Sequence, residues 1–153
     1  MRRALLVLLC LLLTALCACR RVEQPPAEGA YYLRDTADGP VWEERAFAPT
    51  AETAAEQCLQ VLAALQRPPE GLRAALPAEV TVLSLRVSGN VVYLDFSAEY
   101  AALEAGARSM ACAAAVRGLL KLPGLYYVSV TADGAPQSPL YERYGTADTF
   151  VME

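Results

Sequence analysis

The sequence predicts an α+β domain, a two-layer sandwich in which a mixed or antiparallel sheet of about five strands carries two main helices on one face. Two observations support this prediction. Two runs of alternating apolar residues flank a Gly-Asn pair at 89–90, and two other stretches have apolar residues at helical spacing. The resulting order of elements is β-β-α-β-β-α-β.

A first hairpin is predicted from the β-prone runs at 30–34 and 40–47, which flank an Asp- and Gly-containing turn. A helix follows, with Thr50 as its N-cap and the prolines at 68–69 beyond its end. Its inward face is predicted to hold Ala55, Cys58, Leu59, Leu62 and Leu65.

The strongest local signal is the pair of runs at 80–87 and 91–96, which the turn at 88–90 joins into a second hairpin. Because successive side chains alternate between the faces of a strand, one face of this hairpin is apolar and needs a cover. That core face is predicted to carry Leu83, Leu85, Val87, Val92, Leu94 and Phe96. The opposite face is predicted to receive a partner, and it carries Ser84, Arg86, Val91 and Tyr93.

An alanine-rich stretch at 103–122 predicts the second main helix. Its predicted inward side chains are Met110, Ala113, Ala114, Val116 and Leu120. A strand at 125–131 completes the order, with Tyr126, Val128 and Val130 on one face. The tail at 137–153 is polar and turn-rich, and either lies along the domain or is partly disordered.

The first eighteen residues, 1–18, have the pattern of a secretory signal, with Arg2 and Arg3 before an apolar run. The run ends in Leu-Cys-Ala-Cys, which resembles the lipobox of bacterial lipoproteins and implies acylation, of the palmitate kind, at Cys19. Residues 19–29 then form a tether between the membrane and the domain. The other interpretation is an ordinary cleaved signal or an uncleaved anchor, and either would still export the domain.

Two cysteines, Cys58 and Cys112, remain in the exported part. In an oxidising compartment they can form a disulfide. The alternative, which we favour, is that each is a small buried side chain, because nothing in the sequence brings their Cα atoms within bridging distance.

The composition argues against catalysis. The chain has no histidine, and two distant cysteines do not make a zinc site, so we expect no metal and no cofactor. Asp95 and Glu99 are the nearest carboxylate pair, but their predicted places on an outward strand face and in a turn are structural, so we expect no enzyme. A net charge of −4 without a basic stripe argues against nucleic acid as a partner.

Several stretches, in a fixed order, resemble the GerMN domain of sporulation and spore-germination proteins. They are residues 71–77, 92–100, the alanine-rich helix, 122–125, 128–130 and 133–134, and the resemblance covers 30–136. It implies a non-enzymatic α/β domain, found on lipoproteins and used in envelope assembly. The sporulation protein after which the family is named has two such domains, whereas this chain has room for one.

Together these observations predict a lipid-anchored, extracytoplasmic interaction domain. Its expected partners are the membrane and envelope or sporulation proteins, with oligomerisation as a further way of associating. The alternative function is a cell-wall glycan or small-ligand binding lipoprotein, in which exposed tyrosines stack on the sugars of peptidoglycan.

Overall fold

The computed structural model describes residues 28–137 and 141–142. Within them the elements are β1 (Glu28–Thr36), β2 (Gly39–Ala46), α1 (Ala54–Leu65), β3 (Arg73–Ala74), β4 (Val82–Ser88), β5 (Val91–Phe96), α2 (Ala98–Ala102), α3 (Ala105–Leu120), β6 (Tyr127–Ala132), β7 (Ala135–Pro136) and β8 (Tyr141–Glu142). The predicted signal, the lipidation site Cys19, nearly all of the tether and most of the tail lie outside the described residues.

The strands form two sheets. The first is antiparallel, with the order β2-β1-β3. The second has the order β4-β5-β6-β7, with β8 also on β6, and is mixed because β5 and β6 are parallel. The α+β class is therefore confirmed. Of the five predicted strands, β4, β5 and β6 lie in the second sheet, which β7 and β8 complete. The first hairpin, however, belongs to a separate three-stranded sheet.

The hairpin of β4 and β5 turns through a two-residue loop. Gly89 takes a φ of +60° at the first loop position, which suits a type II′ turn. The register pairs Leu85 with Leu94 and Val87 with Val92, so these side chains share the face toward the core.

A bulge near the start of β4 changes one predicted core position. The register shifts between Val82 and Ser84, and Leu83, which lies in the shift, is 54% exposed. Val82 instead pairs with Phe96 and packs against the core. The prediction that Leu83 is a core residue is therefore wrong, because the extra residue breaks the simple alternation.

The connection from β5 to its parallel neighbour β6 runs through α2 and α3. Val128, Val130 and Ala132 of β6 are buried, whereas Tyr126 precedes the strand and is 48% exposed. The prediction that Tyr126 shares the inner face is wrong, since its N–H already donates to the Asn90 carbonyl (2.9 Å) and the strand begins one residue later.

The N-cap of helix α1 lies three residues after the predicted one. Thr53 is the N-cap, and its hydroxyl accepts from the Glu56 N–H (3.3 Å) and donates to the Glu56 carboxylate (2.7 Å). Thr50 instead donates its N–H to Gln60 Oε1 (2.8 Å), so the prediction of Thr50 as N-cap is wrong.

The buried face of α1 is formed by Cys58, Val61, Leu62 and Leu65. Leu59, which was predicted to point inward, is exposed. A step of one residue turns a helix by about 100°, so Leu59 leaves the face defined by Cys58 and Leu62 and Val61 enters it.

Helix α3 is enclosed through its second half. From residue 111 to 120, every side chain except those of Ala113 and Arg117 is buried, because the helix contacts β1, β6 and α1. Small residues permit this close approach. A Cβ added at Gly118 would lie 2.6 Å from the Gly29 carbonyl oxygen and 2.8 Å from Val61 Cγ1. Buried residues of both sheets and of the helices form one continuous core.

Candidate functional site

The face of the second sheet that points away from the core brings the four predicted partner residues together. The pairs Ser84 with Asp95, Arg86 with Tyr93, and Ser88 with Val91 stand opposite one another on β4 and β5. Because directly paired residues point to the same side, all four predicted positions lie on one surface. We call this surface, with Tyr127, Ser129 and Thr131 of β6, the outer face.

The centre of the outer face is an Arg–Tyr pair. The guanidinium carbon of Arg86 lies 4.1 Å from the centroid of the Tyr93 ring, a cation–π contact, and Tyr93 is 39% exposed. At an exposed site such a contact is worth about 0.5–1 kcal/mol, so it favours this position of the guanidinium. Arg86 can then present its N–H donors to a carboxylate from this position.

Asp95 has a structural role on the same face. Its Oδ1 accepts hydrogen bonds from the Thr131 hydroxyl (2.5 Å) and from the Gly134 N–H (3.0 Å), which joins β5 to β6 and to the turn after β6. Glu99 is engaged elsewhere, and hydrogen bonds from the Ser97 hydroxyl and from its own backbone lower the pKa of its carboxyl. The two carboxylates thus have separate partners.

The two cysteines are free thiols and both are buried, so the structure contains no disulfide between Cys58 and Cys112. Burial raises the pKa of Cys58 to about 12. The Cys112 thiol donates to Tyr141 Oη (3.0 Å), beside Tyr100, whose pKa is raised by burial. Both sulfur atoms are therefore part of the packing.

A second polar cluster lies where the end of α3 meets the first sheet. The guanidinium carbon of Arg117 lies 5.5 Å from the ring centroid of Tyr31 and 5.9 Å from that of Trp42. Tyr31 Oη donates to Glu44 Oε1 (2.8 Å), and Lys121 Nζ lies 3.5 Å from the same oxygen. Sequence reasoning missed this cluster, although Arg117 and Lys121 stand four residues apart at the helix end, a spacing that places both on one side.

Within 28–137 and 141–142, no group of three or more His, Cys, Asp or Glu side chains is arranged to hold a metal ion. In the same part of the chain, no helix combines the length and apolar character that crossing a bilayer requires.

Comparisons with known proteins agree with this fold. Residues 30–138 match the family described as Germane: Sporulation and spore germination. The first GerMN domain of the sporulation protein GerM from Bacillus subtilis is 22% identical, with a TM-score of 0.51, over 71% of this chain and 84% of that one.

The tandem GerMN domains of the same protein are 21% identical, with a TM-score of 0.53. That match covers 80% of this chain and 44% of the tandem pair, so the chain spans less than half of it. No curated protein sequence matches the chain. At these identities, the similarity to solved structures establishes a shared fold.

Proposed function

We propose that this chain is a non-enzymatic interaction domain of the cell envelope. The chain belongs to the Germane family of sporulation and spore germination domains. It is held outside the cytoplasmic membrane by a lipid on Cys19 and presents its outer face to a partner protein. The partner is a component of an envelope assembly formed in sporulation or germination.

The observation that supports this proposal most directly is the Arg86–Tyr93 pair at the centre of the outer face. Tyrosine and arginine are enriched among the residues that dominate binding energy at protein interfaces. Tyr93 is partly exposed, and its contact with Arg86 favours one arrangement of the pair before binding, so less side-chain freedom is lost when a partner docks.

A non-catalytic role is supported by the surroundings of the carboxylate and thiol groups that catalysis would need. Asp95 is held by Thr131 and Gly134, and the Cys58 thiol is buried with a pKa raised to about 12. A thiol with so high a pKa carries almost no thiolate near neutral pH, and the thiolate is the nucleophile.

Glycan binding is the less favoured function. A sugar would have to stack on an open aromatic face, but the guanidinium of Arg86 already occupies one face of the Tyr93 ring. Retention on purified peptidoglycan that is lost in Tyr93→Ala would favour this alternative over a protein partner.

Site-specific photo-crosslinking in native membranes tests the partner surface. Benzoylphenylalanine at position 93 of the full-length protein should crosslink to a discrete partner, and Arg86→Glu should weaken that product. The same probe at Leu59, which is exposed on α1, is the matched control. Equal products from positions 93 and 59 would contradict the proposal.

The membrane anchor is tested separately. Cys19→Ala should move the protein from the detergent phase to the aqueous phase, because acyl chains supply the membrane affinity. Cys17→Ala, two residues away, should leave partitioning unchanged. Membrane retention of Cys19→Ala equal to that of the wild type would contradict lipidation at this residue.

A further inference from the structure

The strand edges of the two sheets differ in how they are protected. An open edge presents unpaired N–H and C=O groups, and proteins usually block it with charges, prolines or other segments. The far edge of β6 is occupied by β7 and β8, and Gln137 N–H donates to the Val130 carbonyl (3.1 Å). The edge strand β2 has Pro40 near its start and three consecutive charged residues at 43–45.

Strand β4 forms the remaining edge of the second sheet, and after its bulge between Val82 and Ser84 it has little of this protection. It is seven residues long, and Arg86 is its only charged side chain. No strand among the residues that the structure describes pairs with its outer side. Leu83, which the bulge turns outward, adds an exposed apolar side chain beside that edge.

The hairpin register shows which backbone groups are available. Ser88 and Val91 flank the two-residue loop, so they form a hydrogen-bonded pair. Hydrogen-bonded and non-hydrogen-bonded pairs alternate along an antiparallel ladder. The N–H and C=O groups of Leu85 and Val87 therefore point away from β5, toward the open side of β4.

We propose that β4 accepts an extended segment of a partner protein as an additional strand of the second sheet. This inference rests on the proposed function, since it states how the partner joins the domain. The segment pairs its backbone with Leu85 and Val87 and places a carboxylate across from Arg86 and an apolar side chain beside Leu83. Main-chain hydrogen bonds supply the affinity in this mode, and the side-chain pairs supply the specificity.

Charge complementarity selects a carboxylate at that position. Arg86 stands on the edge strand with its guanidinium over the Tyr93 ring, and Ser84 and Ser88, its neighbours on the same face of β4, are uncharged. An oppositely charged residue directly across a strand pair stabilises the pairing, whereas a like charge opposes it. A basic segment is therefore disfavoured on this edge.

Amide hydrogen exchange of the full-length protein in detergent, with residue resolution, tests the open edge. In the free protein the amides of Leu85 and Val87 should exchange much faster than those of Ser84, Arg86 and Ser88. Slow exchange at Leu85 and Val87 in the free protein would overturn the inference, because another segment or a second copy would then already occupy the edge. Protection that grows with protein concentration would identify the second copy.

The probe for binding is the synthetic peptide acetyl-Thr-Val-Leu-Val-Asp-Val-Thr-amide. Its addition should protect Leu85 and Val87, and the same peptide with proline as its fourth residue should not. Arg86→Gln should weaken binding by about two- to fivefold, which is the scale of one cross-strand charge pair. Leu59→Asp, at an exposed position of α1, should leave binding unchanged, whereas Leu83→Asp should weaken it.

Crosslinking at position 93 and amide protection at Leu85 and Val87 together distinguish a failure of this inference from a failure of the proposed function. If position 93 crosslinks to a partner while the amides of Leu85 and Val87 stay unprotected in that complex and with the peptide, strand addition is refuted. The outer-face proposal would then still stand. Protection of the two amides without crosslinking at position 93 would instead support the edge and contradict the outer face.

Discussion

The two hairpins of this domain have the same local design but different surroundings. Both β1–β2 and β4–β5 are antiparallel pairs joined by two-residue loops. In β1, residues 29–33 are buried in an unbroken run, whereas no residue of β4 is fully buried. The difference shows that the first hairpin supplies an interior strand, while the second is covered on one face and leaves the other available for contact.

Polar contacts reinforce this difference. In the first hairpin, Glu43 forms ion pairs with both Arg34 and Arg45, and Tyr32 Oη donates to the Ala64 carbonyl at the end of α1 (3.1 Å). These contacts tie the hairpin to itself and to a helix. On the outer face of the second hairpin, Arg86 instead lies over Tyr93 within the same strand pair.

The largest expected effect on stability is the difference between a buried and an exposed leucine of the second hairpin. Leu94→Ala should lower the free energy of unfolding by about 2–5 kcal/mol, because Leu94 is fully buried and its loss leaves a cavity. Leu83→Ala removes the same atoms from an exposed position and should cost less than about 0.5 kcal/mol. Urea unfolding followed by circular dichroism measures both variants. Equal losses would mean that the bulge does not turn Leu83 outward.

A somewhat smaller effect is expected where α3 crosses the start of β1. Gly118→Ala should cost about 1–3 kcal/mol, because the new Cβ would collide with a backbone oxygen of Gly29 and with Val61. Gly106→Ala, in the same helix with nothing within 4 Å, is the control. It should be neutral or stabilise by up to about 1 kcal/mol through helix propensity. If the two substitutions had the same effect on the urea midpoint, β1 would not be enclosed as described.

The smallest expected effect on stability comes from removing the hydroxyl of one tyrosine in each hairpin. Tyr32→Phe removes a hydrogen bond to the Ala64 carbonyl and should cost about 0.5–1.5 kcal/mol at pH 7. Tyr93→Phe keeps the ring beneath Arg86 and should leave the free energy of unfolding nearly unchanged.

The deficit of Tyr32→Phe should also depend on pH. Burial raises the pKa of Tyr32 above its usual value, so the protonated hydroxyl is favoured in the folded state. Its contribution to stability is complete below the unfolded-state pKa of about 10 and is lost as the pH rises through the folded-state value. The difference between wild type and Tyr32→Phe should therefore shrink above about pH 10. A difference that grows with alkaline pH would contradict the burial of this hydroxyl.

Much of this arrangement follows from local patterns in the sequence. The turn at 89–90 and the alternation after it predicted the inward side chains of β5, and Val92, Leu94 and Phe96 are buried as expected. The family resemblance is confirmed by the match over 30–138. The true N-cap was also visible, since Thr53 and Glu56 have the spacing of a capping box.

What the sequence did not predict depends on contacts between distant residues. Alternation alone cannot show a bulge, so Leu83 was placed in the core. The three-stranded first sheet depends on β3 pairing with β1, Leu33 beside Arg73, which no local pattern specifies. At the outer face, the register predicted which side chains share a surface, but the position of Arg86 over the Tyr93 ring depends on their rotamers.

The parallel pairing of β5 with β6 also has a consequence for how the chain folds. The β4–β5 hairpin joins neighbouring residues and can form quickly, but its parallel neighbour β6 follows only after the whole of α2 and α3. Until that crossover is complete, β5 lacks its parallel neighbour β6 and the core lacks α3, and the chain is most exposed to aggregation during this interval. Chains that end before α3 should therefore fail to reach a stable native state, although they contain both hairpins intact.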